Sequence, residues 1–151
     1  MANMLFSLAT LGPVGRLPAP GTAGSAVAVL VGAIILQFGW FVLLAACILV
    51  SFIGIKSADI YEARTGKKDA GEVIIDEVAG QWLVMLVIPA SATGGAFILW
   101  LLASFASFRL FDILKPWPVS AAEKWPGGLG VMADDILAGL MAAVVLLIWQ
   151  L

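Results

Sequence analysis

The chain has 151 residues, 62% of them hydrophobic and 12% charged, with a mean hydropathy of +1.08 and a formal net charge of −2. A soluble domain carries about 25% charged residues, so this composition excludes an ordinary soluble fold and specifies an integral membrane protein; the small net charge excludes a nucleic-acid partner. The single cysteine, Cys47, cannot form an intrachain disulfide, and the lack of histidine removes the usual general base, the usual transition-metal ligand and any phosphohistidine intermediate.

Charge placement sets the expected topology. The eight basic and ten acidic residues fall at Arg16, within 56–77 and within 109–135, separated by uncharged runs 17–55, 78–108 and 136–151. A bilayer-spanning helix takes about 20 residues. Turns at Gln37-Phe38-Gly39-Trp40 and at Pro89–Gly95 then give five spans, roughly 24–37, 40–62, 73–89, 95–115 and 131–150. The expected fold is all-α: a polytopic membrane helix bundle of about five spans, one domain over 1–151. This count places all three charged segments on one side, which the positive-inside rule assigns to the cytoplasm. The site is therefore expected at the cytoplasmic face of the membrane, with the C-terminus outside.

In chain order, Leu17-Pro18-Ala19-Pro20-Gly21-Thr22-Ala23-Gly24-Ser25 opens the first span. Thr22 or Ser25 is expected to cap it, and a helix N-terminus with free N–H groups is suited to phosphate. The second span runs out into Lys56–Arg64, whose charges are expected to form a solvated face. A polar loop carrying Asp69 leads to Asp76 and Glu77, adjacent carboxylates flanked by apolar residues. Placed at a membrane boundary they repel each other, and either a bound cation or pairing with Lys67 or Lys68 would relieve them.

The fourth span ends in Phe108-Arg109-Leu110-Phe111-Asp112-Ile113-Leu114-Lys115-Pro116-Trp117-Pro118. Arg109, Asp112 and Lys115 recur every three residues, which aligns them on one helical ridge, and Pro116 should stop the helix. Such a ridge either anchors a span end among headgroups or forms a site. A flexible, glycine-rich approach over Val119–Gly130 then leads to Asp134 and Asp135, expected in the first turn of the last span.

These residues converge on one chemistry. Oxygen donors without His or Cys favour Mg²⁺, and Arg and Lys beside it suit phosphate oxygens. At a membrane boundary this points to a phospholipid headgroup. The candidate metal ligands are Asp76, Glu77, Asp112, Asp134 and Asp135; the candidate phosphate ligands are Thr22, Ser25, Arg109 and Lys115.

The blocks Pro20-Gly21-Thr22-x-Gly24-Ser25, Ile75-Asp76-Glu77-x-x-Gly80, Phe108-Arg109-x-Phe111-Asp112-x-x-Lys115-Pro116-Trp117-Pro118 and Gly130-x-Met132-x-Asp134-Asp135-x-x-Ala138-Gly139 resemble the phosphatidylglycerophosphatase A family over most of the chain. The resemblance implies a Mg²⁺-dependent bacterial membrane phosphatase that converts phosphatidylglycerophosphate to phosphatidylglycerol and inorganic phosphate. By the same resemblance Asp69, Asp76, Glu77, Arg109, Asp112, Lys115, Asp134 and Asp135 fall on positions the family keeps polar, without a role for each; the candidate catalytic residues among them are Asp76, Arg109, Asp112, Lys115 and Asp135, with Asp69 in support, and Arg16 and Glu72 fall outside the shared pattern. Two other readings stay open. Asp59-Ile60-Tyr61-Glu62-Ala63-Arg64 resembles the start of the CDP-alcohol phosphotransferase motif, with Ile60 where that motif has glycine. Carboxylates in membrane helices also occur in non-enzymatic cation carriers.

Overall fold

The computed structural model describes residues 1–151, all helical apart from turns and short connections. The helices are α1 (Ala2–Ala9), α2 (Pro20–Leu36), α3 (Trp40–Thr65), α4 (Ile75–Met85), α5 (Gly94–Leu114), α6 (Val119–Ala122) and α7 (Gly127–Trp149), with a 3₁₀ turn at Val14–Arg16. Three of them, α3, α5 and α7, are long and apolar enough to cross a membrane. Their outward faces carry large apolar side chains such as Phe52, Leu99, Leu102 and Ile148, as a lipid-facing surface requires.

The architecture is a ring around a short post. Helices α2, α3, α7 and α5 each touch their ring neighbours, and all four pack on α4. The 11 residues of α4 are buried except Glu77 and Leu83, which are half-buried. At 1.5 Å per residue α4 is about 16 Å long, roughly half of a bilayer's hydrocarbon thickness. The expected third span, 73–89, is thus cut at both ends. Val73 turns back to the Ala70 carbonyl and Ile74 donates to the Ala9 carbonyl, while Leu86, Val87 and Ile88 close in i−3 bonds. Apolar composition continues through these residues, but helical hydrogen bonding does not.

Small residues let the ring close on the post. A Cβ on Gly80 would lie 2.6 Å from the Asp135 carbonyl oxygen, and one on Gly139 would lie 2.5 Å from the Gly80 carbonyl oxygen. The α4 and α7 backbones therefore touch directly. On the other flank, Trp82 Nε1 donates to the Ala28 carbonyl of α2 at 2.8 Å.

Several sequence expectations change. Helix α1 was not foreseen; it packs on α3, with Phe6 stacked on Tyr61 at 4.9 Å and Arg64 held by Asn3. Helix α2 begins at Pro20, capped by Ala19 in a left-handed conformation without a side-chain bond, so Thr22 and Ser25 lie inside the helix and cap nothing. Helix α7 begins at Gly127, earlier than the expected 131, because Asp59 of α3 accepts the Gly128 N–H at 2.6 Å. Gly127 adopts φ +60°, and a Cβ on Gly128 would collide with the Ile55 carbonyl. The glycine-rich approach is thus a docked helix start. Asp134 and Asp135 consequently lie two turns inside α7, beyond its first turn.

Candidate active site

The ends of the helices bring the charged residues together. The N-termini of α2 and α4, the C-termini of α3 and α5 and the first third of α7 share one end of the bundle. From α4, Asp76 and Glu77 occupy the first turn. From α7, Asp135 faces them one turn above the Gly80–Gly139 contact. Asp76, Glu77 and Asp135 each present a carboxylate oxygen, all within 4.8 Å of one another. Asp76 and Asp135 are buried, at 8% and 3% exposure. Lys67 does not neutralise this pair, because it bonds Glu72 at 2.9 Å on the exposed loop, where that ammonium draws the Glu72 carboxyl below its usual range.

From α5, Arg109 reaches the same cluster. Its guanidinium pairs with Asp112 at 2.5 Å and approaches Glu77 at 4.0 Å, all three side chains being mostly buried. It also donates to Ser25 Oγ at 3.4 Å, and that hydroxyl donates in turn to the Gly21 carbonyl at 2.8 Å. Asp112 also lies beside Asp135. The cluster holds four carboxylates, those of Asp76, Glu77, Asp112 and Asp135, against one guanidinium. Glu77 Oε2, Asp135 Oδ2 and Arg109 Nε are buried without a protein partner. Buried charge of one sign with open lone pairs is costly unless a cation satisfies it. Hard oxygen donors at this spacing fit Mg²⁺, and the orphaned carboxylate oxygens are where it would bind.

The expected Arg109–Asp112–Lys115 ridge divides. Lys115 lies past the end of α5 at φ +43°, which swings its side chain away from Asp112. Its ammonium instead bonds Asp134 and Glu123, both at 2.8 Å. Burial alone would lower the Lys115 pKa, but the two carboxylates more than offset it and raise the group above the ordinary lysine range. Asp134 is thus paired with Lys115, and its carboxylate also stands near those of Asp76 and Asp135. Asp69 is exposed, stands near Asp134 and lines a narrow crevice with Lys68, Glu123 and Trp125.

Of the remaining candidates, Ser25 is buried at the Arg109 guanidinium, whereas Thr22 is exposed and its side chain makes no hydrogen bond. Gly21 was not singled out from the sequence. A Cβ there would collide with Glu77 Oε1 and sit 3.1 and 3.2 Å from the two terminal guanidinium nitrogens of Arg109. The missing side chain leaves the first turn of α2 open against Arg109. Its place in the Pro-Gly-Thr block was the available signal. Glu123 was also missed; a lone acidic residue in a connection gives no sign that it faces Lys115. Asp59 and Arg64 serve α7 and α1 respectively, so the phosphotransferase-like block holds helices together.

The sequence model of phosphatidylglycerophosphatase A matches residues 7–150. The chain belongs to the phosphatidylglycerophosphatase A family. A phosphatidylglycerophosphatase A of Haemophilus influenzae is 37% identical over 155 residues, covering 95% of this chain and 92% of the relative. The Escherichia coli K12 protein of the same name is 30% identical over 128 residues, covering 84% and 72%. A Bacteroides thetaiotaomicron protein with the provisional name phosphatidylinositol-3-phosphatase is 36% identical over 133 residues, covering 85% and 81%. No solved structure matches the chain. Membership makes this chain an enzyme, a phosphatase, and removes the cation-carrier and phosphotransferase readings.

Proposed function

We propose that this chain hydrolyses phosphatidylglycerophosphate to phosphatidylglycerol and inorganic phosphate, as a Mg²⁺-dependent step of phospholipid synthesis at the cytoplasmic face of the inner membrane. The observation that carries the reading is the buried group of Asp76, Glu77 and Asp135 with the Arg109 guanidinium 4.0 Å from Glu77. A lipid headgroup phosphate is the ligand that suits both the carboxylate-bound cation and the guanidinium. With α2, α3, α4, α5 and α7 counted as five segments of alternating direction, every basic residue lies on one side, which supports the cytoplasmic assignment.

Each residue has a definable task. Asp76, Glu77 and Asp135 would hold Mg²⁺, with Asp112 adjoining. Bound there, Mg²⁺ supplies positive charge to the phosphate oxygens and lowers the pKa of water. Arg109 offers its planar fork to two phosphate oxygens, and Asp112 fixes the plane of that fork. The first turn of α2, opened by Gly21, adds backbone N–H groups and a helix N-terminus on the same side. Ser25 supports the guanidinium from below. Lys115, braced by Asp134 and Glu123, supplies a second cation where the headgroup leaves the site, with Asp69 beyond it. The reaction breaks the phosphorus–oxygen bond to the glycerol, transfers the phosphoryl group to water and returns a proton to the glycerol oxygen.

The test is phosphate release by purified protein in detergent from phosphatidylglycerophosphate, phosphatidate and phosphatidylinositol 3-phosphate, with Mg²⁺ and with EDTA. The expected result is Mg²⁺-dependent release, fastest from phosphatidylglycerophosphate. Equal rates with phosphatidate would overturn the substrate assignment, and undiminished release in EDTA would overturn the cation.

A further inference from the structure

The two carboxylates that hold Lys115 are not equivalent. Its ammonium bonds Asp134 Oδ2 and Glu123 Oε1, both at 2.8 Å. The Asp134 side chain is 6% exposed, and its other oxygen accepts the Asp135 N–H at 3.0 Å. The Glu123 side chain is 40% exposed, and its carboxylate bonds Lys115 alone. Asp134 is therefore a fixed partner, buried and tied to the α7 backbone. Glu123 is an outward partner on a short connection, and an exposed ion pair of this kind contributes little. One carboxylate is enough to balance one ammonium. The second marks a place on Lys115 where an exchangeable anion sits.

That place lies between the acidic group and the lipid. Asp134 takes the Lys115 ammonium on one oxygen and the Asp135 N–H on the other, so the ammonium stands one carboxylate away from Asp135. In the other direction, Ile113 and Leu114 just before Lys115 and Trp117 just after it are exposed. Apolar and tryptophan side chains in such positions mark a lipid boundary. The proposed substrate carries two phosphates. Its terminal phosphomonoester reacts, and a phosphodiester joins the glycerol headgroup to the diacylglycerol. The phosphodiester is thus the anion at the junction of headgroup and hydrocarbon, with a single negative charge like that of Glu123. Phosphatidate has no such group, because its one phosphate is the monoester.

We infer that Lys115 is the specificity-determining residue of the reaction, its ammonium binding the substrate's phosphodiester in the place that Glu123 occupies in the free protein. One singly charged anion replaces another, so Asp134 keeps its cation and the charge around Lys115 is unchanged. Arg109 then holds the terminal phosphate and Lys115 the lipid end of the headgroup. A lipid with both phosphates is fixed at both ends, which keeps the reacting bond oriented; phosphatidate is fixed at one. This inference rests on the phosphatase reading above.

The experiment measures kcat and KM per folded protein on phosphatidylglycerophosphate and on phosphatidate, in detergent with Mg²⁺, for the wild type, Lys115→Met and Glu123→Gln. Lys115→Met should lower the ratio of the two kcat/KM values, phosphatidylglycerophosphate over phosphatidate, by about tenfold or more, the usual effect of losing a hydrogen bond to a charged group. Glu123→Gln leaves a neutral acceptor that an anion displaces more easily. It should lower KM for phosphatidylglycerophosphate about threefold without lowering KM for phosphatidate. If Glu123 only braces Lys115, the same change raises KM instead. Equal losses on the two lipids in Lys115→Met, or an unchanged or raised KM for phosphatidylglycerophosphate in Glu123→Gln, overturns the inference and leaves the phosphatase reading intact. Should Lys115→Met fail to fold, the Glu123→Gln comparison decides. A wild-type protein that hydrolyses phosphatidate as fast as phosphatidylglycerophosphate overturns the substrate reading and this inference with it.

Discussion

The carbonyl oxygen of Gly80 lies 2.5 Å from the point where a Cβ on Gly139 would stand, so α4 and α7 meet backbone to backbone at this pair. Asp76 precedes Gly80 by four residues and Asp135 precedes Gly139 by four, one helical turn in each case. The contact therefore sets the separation of the two carboxylates that would share a cation. Gly139→Ala is expected to push the helices apart at a cost of about 1–3 kcal/mol, as overpacking does. Turnover per folded protein should fall and the Mg²⁺ concentration for half-maximal rate should rise. A variant that loses thermal stability but keeps the wild-type Mg²⁺ dependence would show that the crossing does not govern the site.

Asp59 provides the contrasting case. It caps α7 through the Gly128 N–H, well away from the Asp76–Glu77–Asp135 group. Asp59→Ala should cost about 1 kcal/mol, the usual worth of a helix cap. Catalytic rate per folded molecule and Mg²⁺ dependence should stay close to wild type. Thermal melts and a Mg²⁺ titration on the same preparation distinguish this from a role in catalysis.

Much of this organisation is legible in the sequence because charge is costly in a membrane. Asp76, Glu77, Arg109, Asp112, Asp134 and Asp135 stand out against uncharged surroundings, and helical alternation carries them to one end. What the sequence withholds are contacts and hydrogen-bond limits. Leu86 to Ile88 are as apolar as a span interior, so hydropathy does not reveal that α4 stops at Met85. The Asp59 cap joins residues 69 apart, and nothing local in Pro126-Gly127-Gly128 announces that the helix has begun. The three-residue spacing of Arg109, Asp112 and Lys115 predicts one ridge only while the backbone stays helical. Pro116 disfavours helical conformation at Lys115, and the resulting left-handed turn sends that side chain to Asp134 and Glu123.

Lys115 gives a prediction in pH. Its folded pKa is raised above the ordinary lysine value of about 10.4. The stabilisation from its two carboxylate contacts is then complete below that value and is lost only as pH rises through the folded value. Wild-type thermal stability should show no Lys115-dependent decline between pH 7 and about 9.5. Lys115→Met should be less stable than wild type by a constant amount across that window, because buried Asp134 loses its cation. A stability difference that vanishes by pH 9 would mean that the ammonium is not held as the structure places it.

The strongest test falls on Asp76, Asp135 and Arg109 together. Asp76→Asn and Asp135→Asn keep size while removing a negative ligand from the buried group. Either should nearly abolish turnover and raise the Mg²⁺ concentration needed for what remains; EDTA should do the same to the wild type. Arg109→Lys keeps the charge but loses the planar fork that Asp112 and Ser25 hold in place. If that fork binds the phosphoryl oxygens in the transition state, its loss is worth roughly 3 kcal/mol, on the order of a hundredfold in rate. Asp112→Asn should also lose most activity while inserting and folding normally, since it frees the guanidinium to leave the site. The two classes differ in metal dependence: the Asp76 and Asp135 variants shift the Mg²⁺ requirement, whereas Arg109→Lys lowers the rate at saturating Mg²⁺. Near-wild-type rates for Arg109→Lys and Asp112→Asn, combined with reduced thermal stability, would make the Arg109–Asp112 pair a structural bridge and leave catalysis to the carboxylates of α4 and α7.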